Sequence, residues 1–175
     1  MKTNPEIKID IPKSINKTDL ADLCNITEQA IKAGGGFGWL NVPPRDILNK
    51  YWKGITLMPN RKLIVGRFNS VIAGSLQLFF CPANNEAQHK ITNIVSHFVA
   101  PWARGFGLAK AMIDVAEQKT LEFGANCVQL DVRETQEAAI KLFESKGYKR
   151  WGINPYYALV EGKNLKGYYF YKKIK

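Results

Sequence analysis

The chain has 175 residues, 46% of them hydrophobic and 23% charged, with a net charge of +10. That length and balance suit one soluble globular domain, expected over residues 1–175, whose core needs neither disulfides nor a structural metal. Three scattered cysteines (Cys24, Cys81, Cys127), two histidines (His89, His97) and no C-x-x-C pair argue against a zinc site, and no apolar stretch has the length of a membrane span or a secretory leader.

Ile7, Ile9 and Ile11 alternate with polar residues, which predicts a strand over Glu6–Ile11, stopped by Pro12. Asn16 or Thr18 can cap a helix running to about Ala33, where Gly34-Gly35-Gly36-Phe37-Gly38 ends it. A second helix starts near Pro44, with Ile47, Leu48, Tyr51 and Trp52 on one face. Lys62–Phe68 and Val71–Cys81 read as strands joined by a tight turn at Asn69-Ser70. After a polar loop over residues 82–88, Ile91–Val99 is another strand. A helix follows from Leu108 to about Phe123, buried through Leu108, Met112, Val115 and Ala116 and ended by Gly124. Cys127–Val132 is a strand. Gln136–Lys146 is a helix with Ala139, Leu142 and Phe143 inward and Gly147 as its stop. Tyr148–Trp151, Tyr156–Val160 and Tyr168–Ile174 supply the last strands, the final pair turning around Glu161–Lys166. Three antiparallel-looking strands followed by β-α-β predict an α/β (α+β) fold: a mixed sheet with helices on both faces.

The stretch from Ser96 to Lys110 carries chemistry. An apolar strand ends, a short loop presents Arg104, Gly105 and Gly107, and a helix begins at once. Amides at a helix start have no intrahelical partner and the helix dipole favours negative charge there, so this is an anion cradle. A Walker loop is absent. A dinucleotide fingerprint would need glycine or alanine where Lys110 stands, and would lie earlier in the chain.

Arg104-Gly105-Phe106-Gly107-Leu108-Ala109 matches R-x-x-G-x-[GA], and the segment Val132–Tyr148 follows the pattern V-R-x-x-N-x-x-A-x-x-L-Y-x-x-x-G-F with Gln136, Phe143 and the conservative Tyr148 as departures. In this order the two motifs resemble the Gcn5-related N-acetyltransferase (GNAT) superfamily. Gly36–Trp39, Tyr51-Trp52 and the Ile153–Ala158 segment are similar to a branch that includes tabtoxin-resistance acetyltransferases. The resemblance covers about residue 15 to the end. It implies a mixed, mostly antiparallel seven-stranded sheet splayed between strands 4 and 5.

The resemblance also implies roles. Acetyl-CoA would lie with its pantetheine arm on Phe98 and Val99 and its pyrophosphate on the amides of Arg104, Gly105, Phe106, Gly107, Leu108, Ala109 and Lys110. Gln136 would meet the pantetheine arm, Ala139 and Phe143 would line the cofactor, and Lys146 would approach its phosphates. Acetyl would pass directly to an amine, with the Val99 N–H holding the oxyanion. Phe143 stands where many relatives have the tyrosine that protonates the thiolate, which leaves Tyr148 or Tyr157 as substitutes. Asp131 and His97 are the candidate bases. Gly36, Phe37, Trp39, Trp52 and Tyr156 would form the acceptor side.

The expected partner is a small-molecule amine, with a homodimer as a further expectation. A protein lysine or N-terminus is the alternative acceptor, and Phe143 keeps open a module that binds acetyl-CoA without chemistry. The basic surface could attract nucleic acid or membrane, but no helix-turn-helix or ribonucleoprotein motif is present. Free thiols fit a cytoplasmic protein.

Overall fold

The computed structural model describes residues 5–35 and 37–175. Its elements run β1 (Ile7–Asp10), α1 (Lys17–Lys32), α2 (Arg45–Ile55), β2 (Arg61–Phe68), β3 (Val71–Phe80), β4 (Ile91–Val99), α3 (Leu108–Glu122), β5 (Cys127–Arg133), α4 (Glu137–Ser145), β6 (Lys149–Val160) and β7 (Lys163–Lys173). Short 3₁₀ turns at Glu86–Gln88 and Pro101–Ala103 flank β4. The strands form one seven-stranded sheet in the order β1-β2-β3-β4-β5-β7-β6. The β4–β5 pair is parallel, while β1–β2, β2–β3, β5–β7 and β6–β7 are antiparallel. The described residues form two compact units. The first is Met1–Phe79 with Ser96–Ala116, the second Phe80–Val95 with Glu117–Lys175.

In the first unit, α1 opens where Asn16 accepts the Asp19 amide at 2.8 Å. The β2–β3 hairpin turns on Asn69 and Ser70, both at positive φ (48° and 72°), the conformation a two-residue hairpin turn demands. Leu63 and Val65 of β2 pack with Leu23, Ile26, Leu48, Trp52 and Ile55 of the first two helices. Side chains alternate along a strand, so Gly66 faces the other way, and there Leu108 of α3 occupies its missing side chain's place. Helices therefore cover both faces of these strands, as the sequence predicts. In α3 the buried stripe is Leu108, Met112, Ile113 and Ala116. Ile113 takes the place expected for Val115, because the stripe turns with the helix as it settles on the strands.

In the second unit, β5 pairs with β7 from Cys127↔Lys173 to Arg133↔Gly167. The parallel ladder to β4 is short, from Ile91↔Cys127 to Asn93↔Gln129, although β5 continues to Arg133. Two expectations change here. The predicted strands Tyr148–Trp151 and Tyr156–Val160 are one strand, β6, with register shifts at Arg150/Gly152 and Asn154/Ala158. Asn154-Pro155 interrupts the alternation without ending the strand, because a proline is tolerated at a bulge. The turn to β7 is tighter than expected, with Glu161 (φ 50°) and Gly162 (φ 75°) at its centre. In α4 the buried residues are Ile140 and Phe143, with Leu142 only partly covered. Among the described residues, no helix is long and apolar enough to cross a membrane.

Candidate active site

Within the first unit, β4 kinks at Ser96, whose φ of 50° is rare for a non-glycine residue inside a strand. Past the kink, Phe98, Val99 and Ala100 are buried. Pro101–Ala103 then turns the chain into Arg104–Gly107, which is exposed throughout. Gly105 (φ 85°) and Gly107 (φ 83°) are left-handed, and a Cβ on either would meet nothing within 4 Å. Their glycines are therefore demanded by backbone conformation, and they leave open space in front of the loop.

The helix start behind this loop is held firmly. Leu108, 1% exposed, seats on Gly66, where its side chain lies 2.8 Å from the place of a Cβ. One turn on, Met112 seats on Gly74 at the same distance. His97 hydrogen-bonds the Ala109 backbone. Burial drives the His97 imidazole down to about 4, opposed by that bond, so the ring is neutral near pH 7. The neutral ring's bond to Ala109 ties β4 to the first turn of α3. Arg104 folds back so that its Nε donates to the Val99 carbonyl at 3.3 Å, and Phe106 stacks edge-on against Phe68 at 5.0 Å.

The aromatics expected on the acceptor side also lie in this unit. Phe37 meets Phe98 at 4.8 Å and Trp39 at 5.8 Å, and Trp39 meets Tyr51 at 5.0 Å. Trp52 is fully buried and donates its indole N–H to Thr27 Oγ1 at 3.1 Å. It backs the wall, and Tyr51, not singled out from sequence as a site residue, takes the half-exposed position beside Trp39. Gly36 lies outside the described residues.

The second unit brings two other predicted residues together. The Tyr157 hydroxyl donates to the Asp131 carboxylate across 26 residues of sequence. The β6 bulge makes this possible. It is opened by Asn154, whose side chain accepts the Tyr156 amide at 2.9 Å, and it lays the Tyr157 ring over Gly167, where any Cβ would collide with it. Burial first, and Asp131 second, push the Tyr157 phenol well above its ordinary range. Tyr156 points outward and is 75% exposed.

In the same unit Gln136 sits just before α4, and Ala139 is partly covered in its first turn. Phe143 is buried edge-on against Tyr148 at 5.3 Å, so both serve the core. Lys146 lies 4.0 Å from Glu117, a carboxylate that Lys172 also holds at 2.8 Å. The sequence expectation that Lys146 meets phosphate thus competes with an ion pair already formed. Among the described residues, no group of three or more His, Cys, Asp or Glu side chains could hold a metal ion.

The family model described as the acetyltransferase (GNAT) family matches residues 28–148. The chain is 44% identical over 131 residues to an uncharacterized N-acetyltransferase in the hisH–hisA intergenic region of Azospirillum brasilense, covering 75% of this chain and 78% of that protein. Its fold is similar to an N-acetyltransferase from Staphylococcus aureus Mu50, with a TM-score of 0.81 at 19% identity over 97% of this chain and 99% of the other. It is also similar to a GNAT superfamily phosphinothricin acetyltransferase from Sinorhizobium meliloti in complex with acetyl-CoA. There the TM-score is 0.78 at 15% identity, over 96% of this chain and 88% of the other.

Proposed function

Because the chain belongs to the acetyltransferase (GNAT) family, and is therefore an acyltransferase, we propose that it moves the acetyl group of acetyl-CoA directly to the amine of a small molecule. Acetyl-CoA is a substrate here. The exposed loop suits its diphosphate, since the two left-handed glycines leave room for an anion to approach the start of α3. The Val99 amide is assigned to the thioester oxyanion. The three cysteines are free thiols, which supports a reducing, cytoplasmic setting.

The observation that carries the chemistry is the hydrogen bond from Tyr157 to Asp131. An alkylammonium has a pKa of about 10 and must lose a proton before it can attack. In this reading Asp131 takes that proton. The neutral amine then attacks the thioester carbon, the carbon–nitrogen bond forms and the carbonyl becomes an oxyanion. The new N–H₂⁺ group gives one proton to water. The carbon–sulfur bond breaks, and the leaving thiolate takes the Tyr157 proton, which Tyr157 recovers from Asp131. One proton is released per acetyl transferred. The elevated affinity of Tyr157 for its proton fits the order of events. With Asp131 ionised the phenol holds on, and once Asp131 is protonated part of that hold is gone.

Thiol release with a panel of amines tests the assignment. Asp131→Asn is expected to lower kcat about 100-fold, and Tyr157→Phe about 10- to 100-fold, each with an unchanged KM for acetyl-CoA. Full activity in both variants would move the proton transfers to other residues.

A further inference from the structure

Gln77 lies in the interior of the first unit with no exposed surface, between two polar partners. Arg61 Nη1 donates to its Oε1 at 2.8 Å, and its Nε2 faces the Tyr51 hydroxyl at 2.8 Å. The orientation of the amide follows from chemistry. A guanidinium has only donors, so Oε1 must face Arg61 and the NH₂ must face Tyr51. An NH₂ can only donate. The Tyr51 oxygen is therefore the acceptor, and its own proton points to something else. Among the described residues no acceptor takes it.

Arg61 is unbalanced in the same sense. Its Nε is buried with no hydrogen-bond partner, and no carboxylate pairs with it among the described residues. On β3 the Ser75 hydroxyl, two residues before Gln77 on the same face, is also buried with no partner among the described residues. A half-buried positive charge thus stands behind a phenol whose proton is unclaimed, beside Trp39 and Phe37. Hydrogen bonds in series polarise one another, so the guanidinium strengthens Tyr51 as a donor.

We propose that Tyr51, backed by Gln77 and Arg61, recognises an oxyanion on the acceptor, so that the amine acetylated is one that also carries a carboxylate. The proposal rests on the acetyltransferase reading above. One guanidinium and one phenol suit a monoanion, whereas a phosphate dianion would leave charge and acceptors unmet. Tyr51 is a specificity residue here, and Gln77 and Arg61 are positioning residues.

The test is calorimetric binding to the full chain, with and without coenzyme A. It uses matched ligands: L-leucine and isopentylamine, L-methionine and 3-(methylthio)propylamine, L-phenylalanine and phenethylamine. At least one acid should bind about tenfold more tightly than its amine, the size expected for a hydrogen bond to a charged group. Tyr51→Phe should abolish the difference. Gln77→Glu should do the same with the phenol still present, because the new carboxylate both neutralises Arg61 and accepts the Tyr51 proton. Melting curves and acetyl-CoA affinity confirm that each variant is folded. Equal affinity within every pair in the wild type, or a preference that survives in either folded variant, would overturn the proposal. Thiol release separates it from the premise. A binding preference with no turnover on any amine would sink acetyl transfer and leave Tyr51 its role, whereas turnover without preference would sink the Tyr51 proposal alone.

Discussion

Two helix starts in the same unit are built in opposite ways. At α1, Asn16 accepts the Asp19 amide, and its own side-chain amide donates to Asp19 at 3.1 Å. Asp19 in turn receives Arg67 through both terminal nitrogens, at 2.9 and 3.0 Å, and is nearly buried. The positive end of α1 is thus answered by the chain itself. At α3 no acidic residue stands in the first turn, the preceding loop is exposed, and its two left-handed glycines face open space. The helix itself is anchored through Leu108, Met112 and His97. A capped start serves the fold, whereas a rigid start left open can take an anion, which is the role proposed above for α3.

Gly107→Glu should break the comparison hardest. In the proposed reading a carboxylate placed in that open space would meet the diphosphate, and acetyl-CoA affinity should fall at least about 100-fold by calorimetry, or about 3 kcal/mol. The left-handed backbone adds roughly 1–2 kcal/mol of strain to a non-glycine residue, so the fold should survive with a lower Tm. Gly107→Asn, which tolerates that conformation, should bind much better than the glutamate variant. Equal affinity in wild type and Gly107→Glu would remove the diphosphate from this loop.

His97 tests whether the α3 start is held from below. Its folded pKa of about 4 lies below the ordinary value of 6.5, so the unfolded chain takes up the proton first. The stability contribution is complete above about pH 6.5 and is lost as the pH falls through the window from about 6.5 to 4, by on the order of 2 kcal/mol after allowance for partial exposure. His97→Gln keeps a donor for Ala109 but cannot titrate. Its thermal unfolding should lose this part of the acid slope, and an unchanged slope would show that the ring is not the sensor. If His97 is instead the catalytic base, the same variant should abolish turnover at every pH.

What could be read from sequence follows from the range of the physics. The glycine loop and the stops at Gly34, Gly124 and Gly147 are all required by their own positive φ, which marks the sequence locally. The Asn69-Ser70 turn is legible for the same reason. Gly66 and Gly74 were not legible, because what they need room for comes from α3, some forty residues on. The Tyr157–Asp131 bond depends on a bulge that the sequence shows only as a break at Asn154-Pro155. Trp52 and Tyr51 are neighbours in one aromatic run. The α1 residues that bury the indole, Thr27 among them, lie some 25 residues away in sequence, and they leave the phenol beside Trp39.

The smallest expected effect sharpens the comparison from the other side. Asn16→Ala removes the acceptor for the Asp19 amide and loosens the carboxylate that Arg67 grips. The loss of an N-cap costs about 1 kcal/mol, which for a chain of this size lowers Tm by roughly 2–4 °C. Acetyl-CoA affinity should not change, because the defect is confined to a start that the chain satisfies for itself. A matching loss of affinity would mean that the two helix starts are energetically linked. The capped one would then be part of the binding apparatus, and the distinction drawn between them would fail.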